Sequence, residues 1–332
     1  MPTKLQAGKI PNQLLKSLLK DLPVFGDEVV IPPALGIDAA GLRVGDRLLA
    51  ITSDPITFAS KQIGKYAVRV NVNDIACMGC RPRWMMNTLL LPLGTTDLDL
   101  YELWHELVNE LKLYQIQAIG GHTEVTAAVN QPVLVCQMIG EPVTGALLDI
   151  RSAKPGDKML LWRGAAVEGS ALLATERYDD LKKHIPAAQL DTMRNLINEP
   201  GICIWPAAEK LFALDGLVAL HDPTEGGIAT ALHEVAEVSG CGIQVRAADI
   251  PILSETLQLA ALLKFDPLGL LASGSLIIVC RPEAEASMLQ ALRGERVASI
   301  GELTEEQGSY IDGKDLPRYD RDQILDALAY EL

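Results

Sequence analysis

Short strand-like runs alternate with helical patterns along this chain without a regular strand–helix–strand beat, and that irregularity limits the architectures open to it. Residues 48–51, 87–91, 132–139, 158–162, 242–245 and 275–280 are apolar runs of strand length, several apolar on both faces. The stretch 97–114 carries Leu100, Leu103, Trp104, Leu107, Val108 and Leu111 at helical spacing, behind the cap candidates Thr95, Thr96 and Asp97. A second helix is predicted over 224–239, with Ile228, Ala231, Leu232, Val235 and Ala236 on one face and Gly240 as its stop. Residues 61–78 read as a third. The pattern predicts an α+β fold. No tandem repeat or low-complexity tract is present, which removes solenoids and propellers.

At 332 residues the chain has the length of about two ordinary domains. The turn-forming stretch Ser152-Ala153-Lys154-Pro155-Gly156-Asp157 precedes a buried-type strand and marks the expected junction. The division expected is therefore residues 1–150 and 151–332, each with strands first and then a glycine-punctuated helix start. After Gly301 the sequence turns polar and reads as a peripheral tail with a short helix over 322–332. The chain has 29 Lys and Arg against 43 Asp and Glu, a net charge of −14, which argues against general nucleic-acid binding. Nothing approaches 18 uninterrupted apolar residues, and the lysines of residues 1–10 precede no apolar run, so neither a membrane span nor a signal peptide is expected. Six cysteines suit a reducing compartment better than a disulfide scaffold, and the expected location is cytoplasmic.

Four short acidic segments sit at the ends of apolar runs. They are Gly36-Ile37-Asp38-Ala39-Ala40, Thr52-Ser53-Asp54-Pro55, Asn71-Val72-Asn73-Asp74-Ile75 and His221-Asp222-Pro223-Thr224-Glu225-Gly226-Gly227. Aspartates at strand ends can meet across neighbouring strands, and hard oxygen ligands suit Mg²⁺, which bridges carboxylates to substrate phosphates. Taken singly, each aspartate is as well explained by turn and capping preference; the combination points to a metal. Two glycines in a first helical turn cost roughly 1 kcal/mol each against alanine, which makes sense where something approaches the backbone closely. Amides at a helix start attract phosphate. Gly120-Gly121-His122-Thr123-Glu124, after the run 117–119, offers amides and a hydroxyl in the same style. There is no Gly-Lys-Ser/Thr loop and no Gly-x-Gly-x-x-Gly after a strand, which disfavours a P-loop ATPase and a Rossmann dehydrogenase.

The order Asp38-Ala39-Ala40, Thr52-Ser53-Asp54, Gly64-Lys65, Asn71-Val72-Asn73-Asp74-Ile75-Ala76-Cys77-Met78-Gly79, Gly120-Gly121-His122-Thr123, Asp222-Pro223-Thr224-Glu225-Gly226-Gly227 and Asp266-Pro267-Leu268 resembles the aminoimidazole ribonucleotide synthetase (PurM) superfamily. That group includes HypE, selenophosphate synthetase and thiamine-monophosphate kinase. The resemblance runs from about residue 8 to residue 280 and is nearest to the HypE-like branch. It implies a two-domain PurM-like fold, with an N-terminal dimerising and ATP-binding domain, a C-terminal α+β domain, and ATP held between them with Mg²⁺. On the resemblance, the metal aspartates are Asp38, Asp54, Asp74 and Asp222. Lys65, Asn71, Gly120, Gly121, Thr123, Thr224, Gly226 and Gly227 would face the nucleotide's phosphates. The chemistry implied is reaction at the γ-phosphate that phosphorylates or dehydrates a small-molecule or protein substrate, with a homodimer and a maturation partner protein as the expected assemblies. The strand over 132–139 is expected to complete an intersubunit barrel.

Departures from the named activities accompany the match. HypE ends in a cysteine-bearing tail, whereas here residues 328–332 carry no thiol and the last cysteine is Cys280. Selenophosphate synthetases carry a reactive residue near the N-terminus, and the first cysteine here is Cys77. Thiamine-monophosphate kinases resemble Gly-Gly-Asp-Thr where this chain has His122, and aminoimidazole ribonucleotide synthetase has glutamate there. His122 is the candidate catalytic side chain, because it lies in a glycine segment beside a hydroxyl. His221 precedes an aspartate of the metal set and is placed to orient ligands. Cys77 and Cys80 lack a second pair that would complete a zinc site and read as packing. Residues 163–169 follow a strand and either contact substrate or make a tight strand-to-helix turn. Two classes remain, an ATP-dependent enzyme and a nucleotide-binding accessory protein. Four converging carboxylates, whose mutual repulsion costs stability, favour the enzyme.

Overall fold

Two mixed sheets carry the fold, and each is fed by its own stretch of chain. The computed structural model describes residues 5, 8–10, 12–57, 59 and 61–332. The signal-peptide reading of residues 1–10 lies mostly outside them. The first stretch runs α1 (Asn12–Leu19), β1 (Val29–Ile31), β2 (Ala40–Val44), β3 (Arg47–Ile56), α2 (Ile63–Cys77), β4 (Cys80–Pro92), α3 (Asp97–Leu113), β5 (Gln117–Thr126) and β6 (Val133–Pro142). Its sheet has the order β1-β2-β3-β6-β4-β5. Every pairing is antiparallel except β4 with β5, which the α3 crossover joins in parallel. Thr96 caps α3 in a reciprocal capping box with Asp99, as the Thr-Asp spacing predicts.

The placement of β6 corrects one expectation. It lies between β3 and β4 with both edges paired, so it has no free backbone for a partner subunit. The edges of this sheet are the short β1 and the longer β5, and the residues of β5 are almost all exposed.

The second stretch runs β7 (Lys158–Trp162), α4 (Val167–Glu176), α5 (Tyr178–Leu181), α6 (Ala187–Arg194), α7 (Trp205–Leu211), β8 (Leu217–His221), α8 (Gly227–Ser239), β9 (Gly242–Val245), α9 (Ser254–Leu263), β10 (Leu276–Cys280), α10 (Glu285–Ala291), β11 (Val297–Thr304), β12 (Ser309–Ile311), β13 (Lys314–Asp315) and α11 (Gln323–Ala329). The sheet order is β13-β12-β9-β11-β7-β10-β8. The polar C-terminal stretch is therefore not peripheral. β11 runs through Gly301 between β7 and β9, and Asp322, Ile324 and Ala327 are buried. Polarity there misled because β11 alternates buried and half-buried positions instead of presenting one continuous apolar run.

The helix α2 joins the two halves. Of its fifteen residues, only Lys65 is not buried. Val68, Val70 and Val72 alternate with Arg69, Asn71 and Asn73, a strand-like pattern that tertiary packing turns into a helix. Each buried polar group is matched. Arg69 makes a two-pronged bond to Glu110 (2.8 and 2.9 Å) and donates to the Ile197 carbonyl (2.6 Å). Asn73 donates to the Ile202 carbonyl and accepts from the Ile204 amide, both at 2.9 Å, clamping the second stretch onto the first. Among the described residues, no helix is long and apolar enough to cross a membrane.

Candidate functional site

A cavity of about 440 Å³ opens between β3 and α2 on one side and the ends of β8, α4 and α8 on the other. Asp38 reaches it from the turn before β2, Asp54 from β3, Asp74 from α2, and Asp222 from the residue after β8. Tyr66, Val70 and Asp74 stand four residues apart on α2 and so present one face to the cavity. The four aspartates that the acidic segments suggest thus converge on one cavity.

These carboxylates feel one another strongly. Burial raises Asp74 well above the ordinary carboxylate range, and Asp54, Asp222 and Asp38 push it further. Asp222 is raised by burial and by Asp38, against the pull of His221. Thr52 donates to Asp74 at 2.5 Å, and its hydroxyl also lies 3.2 Å from the Asp38 carbonyl. His221 is held between two carboxylates, Nδ1 at 2.8 Å from Asp38 and Nε2 at 3.1 Å from Glu234. Burial alone would lower its pKa, but Asp38 and Glu234 outweigh it and the imidazole is held well above its usual value. Lys9 from the N-terminal segment completes the charge pattern. Its ammonium bonds the Thr224 hydroxyl at 3.0 Å, and its backbone N–H donates to Glu225 at 3.0 Å. Burial works against the charged ammonium, but Glu234, Glu225, Asp54 and Asp74 together raise its pKa.

A divalent cation fits this donor set. Asp222 is 2% exposed, and its Oδ2 has no hydrogen-bond partner among the described residues. An orphaned buried carboxylate oxygen beside three further carboxylates is costly without a cation to accept. Ligand atoms of Asp38, Cys77 and Asp222 also lie within 4.8 Å of one another, and the Cys77 thiol sits 3.5 Å from Asp222 Oδ1. The packing role read for Cys77 omits this contact. Its placement beside Asp222 follows from α2, which sets Asp74 and Cys77 three residues apart on neighbouring positions of the helix surface.

Other sequence-derived candidates stand elsewhere. Lys65 faces α3 and Asn198 (3.5 Å), away from the cavity lining. Asn71 is fully buried, donating to the Ala67 carbonyl and accepting from the Asp54 amide, and so ties α2 to β3. Gly120, Gly121, His122 and Thr123 lie in the middle of β5, not in a loop, and His122 pairs with Glu124 at 3.1 Å on the exposed surface. Gly121 is small for a packing reason, since a Cβ there would sit 2.2 Å from the Asn87 carbonyl of β4.

Thr224 lines the cavity, whereas Gly226 and Gly227 start α8. The glycine pair is explained by packing: a Cβ on Gly227, at φ +64°, would lie 2.5 Å from the Leu268 carbonyl. The Gly226 amide is already engaged by Asp322, at 2.6 Å. Sequence reasoning missed Lys9, Glu234 and Asp322, which no local motif marks. It also left open the role of Glu168, where the 163–169 segment is both a tight turn, with Arg163, Gly164 and Ala166 at positive φ, and part of the cavity wall.

Comparison with known proteins agrees with this architecture. Residues 36–141 match the family described as AIR synthase related protein, N-terminal domain, and residues 154–314 match its C-terminal domain. Carbamoyl dehydratase HypE of Cupriavidus necator is 25% identical over 283 residues, covering 82% of this chain and 78% of that protein. The fold is shared with a solved HypE–HypF complex, at TM-score 0.74 and 21% identity over 90% of this chain and 95% of that one. It is shared equally with a HypE solved in complex with ATP, at TM-score 0.69 and 23% identity over 87% and 90%. With both halves matched in order, the chain belongs to the AIR synthase related protein family.

Proposed function

We propose that this protein is an ATP- and Mg²⁺-dependent enzyme that uses the γ-phosphate of ATP to phosphorylate or dehydrate an acceptor bound in the cavity between its two halves. The observation that carries the reading is the convergence of Asp38, Asp54, Asp74 and Asp222 on that cavity, with Asp222 Oδ2 buried and unpartnered among the described residues. Its volume of about 440 Å³ lies in the range of small-molecule sites. The relatives add support, since one is named carbamoyl dehydratase and one was solved with ATP.

In this reading the four aspartates hold Mg²⁺, which neutralises the phosphates and so lets them enter an acidic cavity. The protein's own residues position the substrates. His221 fixes Asp38 from one side and Glu234 fixes His221 from the other, so the ligand carboxylate cannot rotate freely. Thr52 holds Asp74 in the same way. Lys9 and the Thr224 hydroxyl, joined at the cavity wall, meet the phosphates, with Lys9 exchanging its bond to Thr224 for a phosphate oxygen. Phosphoryl transfer needs little beyond such positioning and charge neutralisation. The assembly proposed is a homodimer through the open β5 edge, where Ile119 and Val125 are about half exposed. A maturation protein is the proposed partner, by analogy with the HypE–HypF complex. The test is ADP formation by purified protein with Mg²⁺ and ATP, with and without a metabolite extract. Turnover in either arm supports an enzyme, and nucleotide binding with no ADP in both arms supports an accessory protein instead.

A further inference from the structure

Glu168 is a buried titratable group of the cavity wall to which the reading above gives no role. It lies on the first turn of α4, 6% exposed, and lines the same cavity as the aspartates. Among the described residues its Oε2 has no hydrogen-bond partner, while the hydroxyl and backbone N–H of Ser273 favour the ionised carboxyl. Leu172 and Leu271 give the adjoining wall an apolar character. Among the described residues no lysine or arginine is paired with it, so none of these cations is what keeps the carboxyl there. A buried carboxylate oxygen left without a donor costs stability, and the cavity that Glu168 lines has room for a ligand that supplies one.

We infer that Glu168 and Ser273 form the acceptor subsite, that it takes a neutral group bearing an O–H or N–H (a hydroxyl or a primary amide), and that Glu168 removes its proton. This rests on the ATP-dependent reading above and names the second substrate's chemistry. For a hydroxyl acceptor, Glu168 takes the proton as the oxygen bonds to the γ-phosphorus. The bond from that phosphorus to the β–γ bridging oxygen breaks, and its electron pair leaves on ADP. For an amide, the oxygen attacks in the same way while Glu168 takes the N–H proton and the C–N bond gains double-bond character. In both cases the proton returns to solvent after product leaves.

The acid–base properties agree with that role. Burial raises Glu168 from 4.5 to about 7, with Asp322 and Glu225 adding to the effect and Ser273 opposing it. The groups facing it are Tyr66 from α2, Glu225 before α8, Asp322 before α11 and Ser273 before β10, and the Lys9 ammonium attracts Glu225. A base near the working pH transfers protons most effectively.

The experiment compares wild type, Glu168→Gln and Ser273→Ala by Mg²⁺–ATP titration and by single-turnover ADP release, with water, glycerol and formamide as separate acceptor probes. The expected result is unchanged Mg²⁺–ATP affinity in Glu168→Gln, with ADP release at least about 100-fold slower and no longer rising with pH. In Ser273→Ala the rising limb moves to higher pH, because the hydroxyl that favours the carboxylate is gone. The glycerol and formamide arms tell a hydroxyl acceptor from an amide. Wild-type rates in Glu168→Gln, or an unmoved pH profile in Ser273→Ala, overturn the assignment, as does a wild type that binds Mg²⁺–ATP but releases no ADP with any probe. A wild type that does not bind Mg²⁺–ATP removes the nucleotide reading, and this assignment with it.

Discussion

Replacing Glu168 by glutamine is expected to stabilise the protein at alkaline pH, although it removes a group assigned to catalysis. Burial holds the carboxyl at about 7 instead of 4.5. A tenfold change in proton affinity is worth about 1.4 kcal/mol, so the ionised form costs the fold about 3 kcal/mol. The sign follows from linkage. A carboxyl whose pKa is raised by folding favours the neutral form in the native state, so the penalty is absent below the unfolded value. It grows as pH rises and is complete above about 7. Glutamine has nearly the same shape and stays neutral throughout. Asp322, held at about 6 by burial, titrates in the same window. It is present in both proteins, so the difference between them isolates Glu168. Urea unfolding of both proteins across that window measures the effect. The variant should match wild type at the acidic end and exceed it by up to about 3 kcal/mol at the alkaline end. A difference that is flat with pH, or a variant less stable than wild type above about pH 7, would refute the claim that Glu168 is buried without a counter-charge.

Gly227→Ala should cost about 2–5 kcal/mol, because the new Cβ is forced into positive φ and against the Leu268 and Leu270 carbonyls; a melting temperature close to wild type would contradict that packing. All six cysteines are buried and free, and the Cys77, Cys80, Cys136, Cys203 and Cys280 thiols are pushed above their ordinary value chiefly by burial. Incubation with a carbamoyltransferase, its donor and ATP should therefore leave the intact mass unchanged, and a carbamoyl adduct on any cysteine would contradict this. Light scattering should give about twice the 35.9 kDa chain mass, and a monomer at micromolar concentration would count against the β5 interface.

The acidic segments could be read from sequence because they couple two local signals, an apolar run and an aspartate at its end, and strands bring such ends together. Asp38, Asp54 and Asp222 meet for that reason, whereas Asp74 is brought to them by the helix α2. His221 could be read too, as the neighbour of one of them. The glycine segments were ambiguous, because a missing Cβ admits either a ligand or another backbone. At Gly121 and Gly227 the neighbours are the Asn87 and Leu268 carbonyls. Lys9, Glu234 and Asp322 come from distant parts of the chain and carry no local pattern. Their roles arise only when the segment before α1 and the helix α8 meet at the cavity, and when the start of α11 docks on the Gly226 and Leu271 amides behind it. Glu168 was half visible. The 163–169 segment stands out as a turn, but the burial that sets the acidity of Glu168 depends on Tyr66 and Ser273 arriving from two other places in the chain.

The central claim is that the aspartate cluster binds the metal that lets nucleotide enter. Calorimetric titration of ATP into wild type and Asp222→Asn, each with and without Mg²⁺, tests it most directly. Among the described residues Asp222 Oδ2 has no partner to lose, and the substitution relieves like-charge repulsion, so the variant should fold at least as well as wild type. Wild type should bind ATP only with Mg²⁺, and Asp222→Asn should bind it at least about tenfold more weakly, the usual cost of a lost metal contact. Equal titration curves for the two proteins, or wild-type binding indifferent to Mg²⁺, would contradict the account.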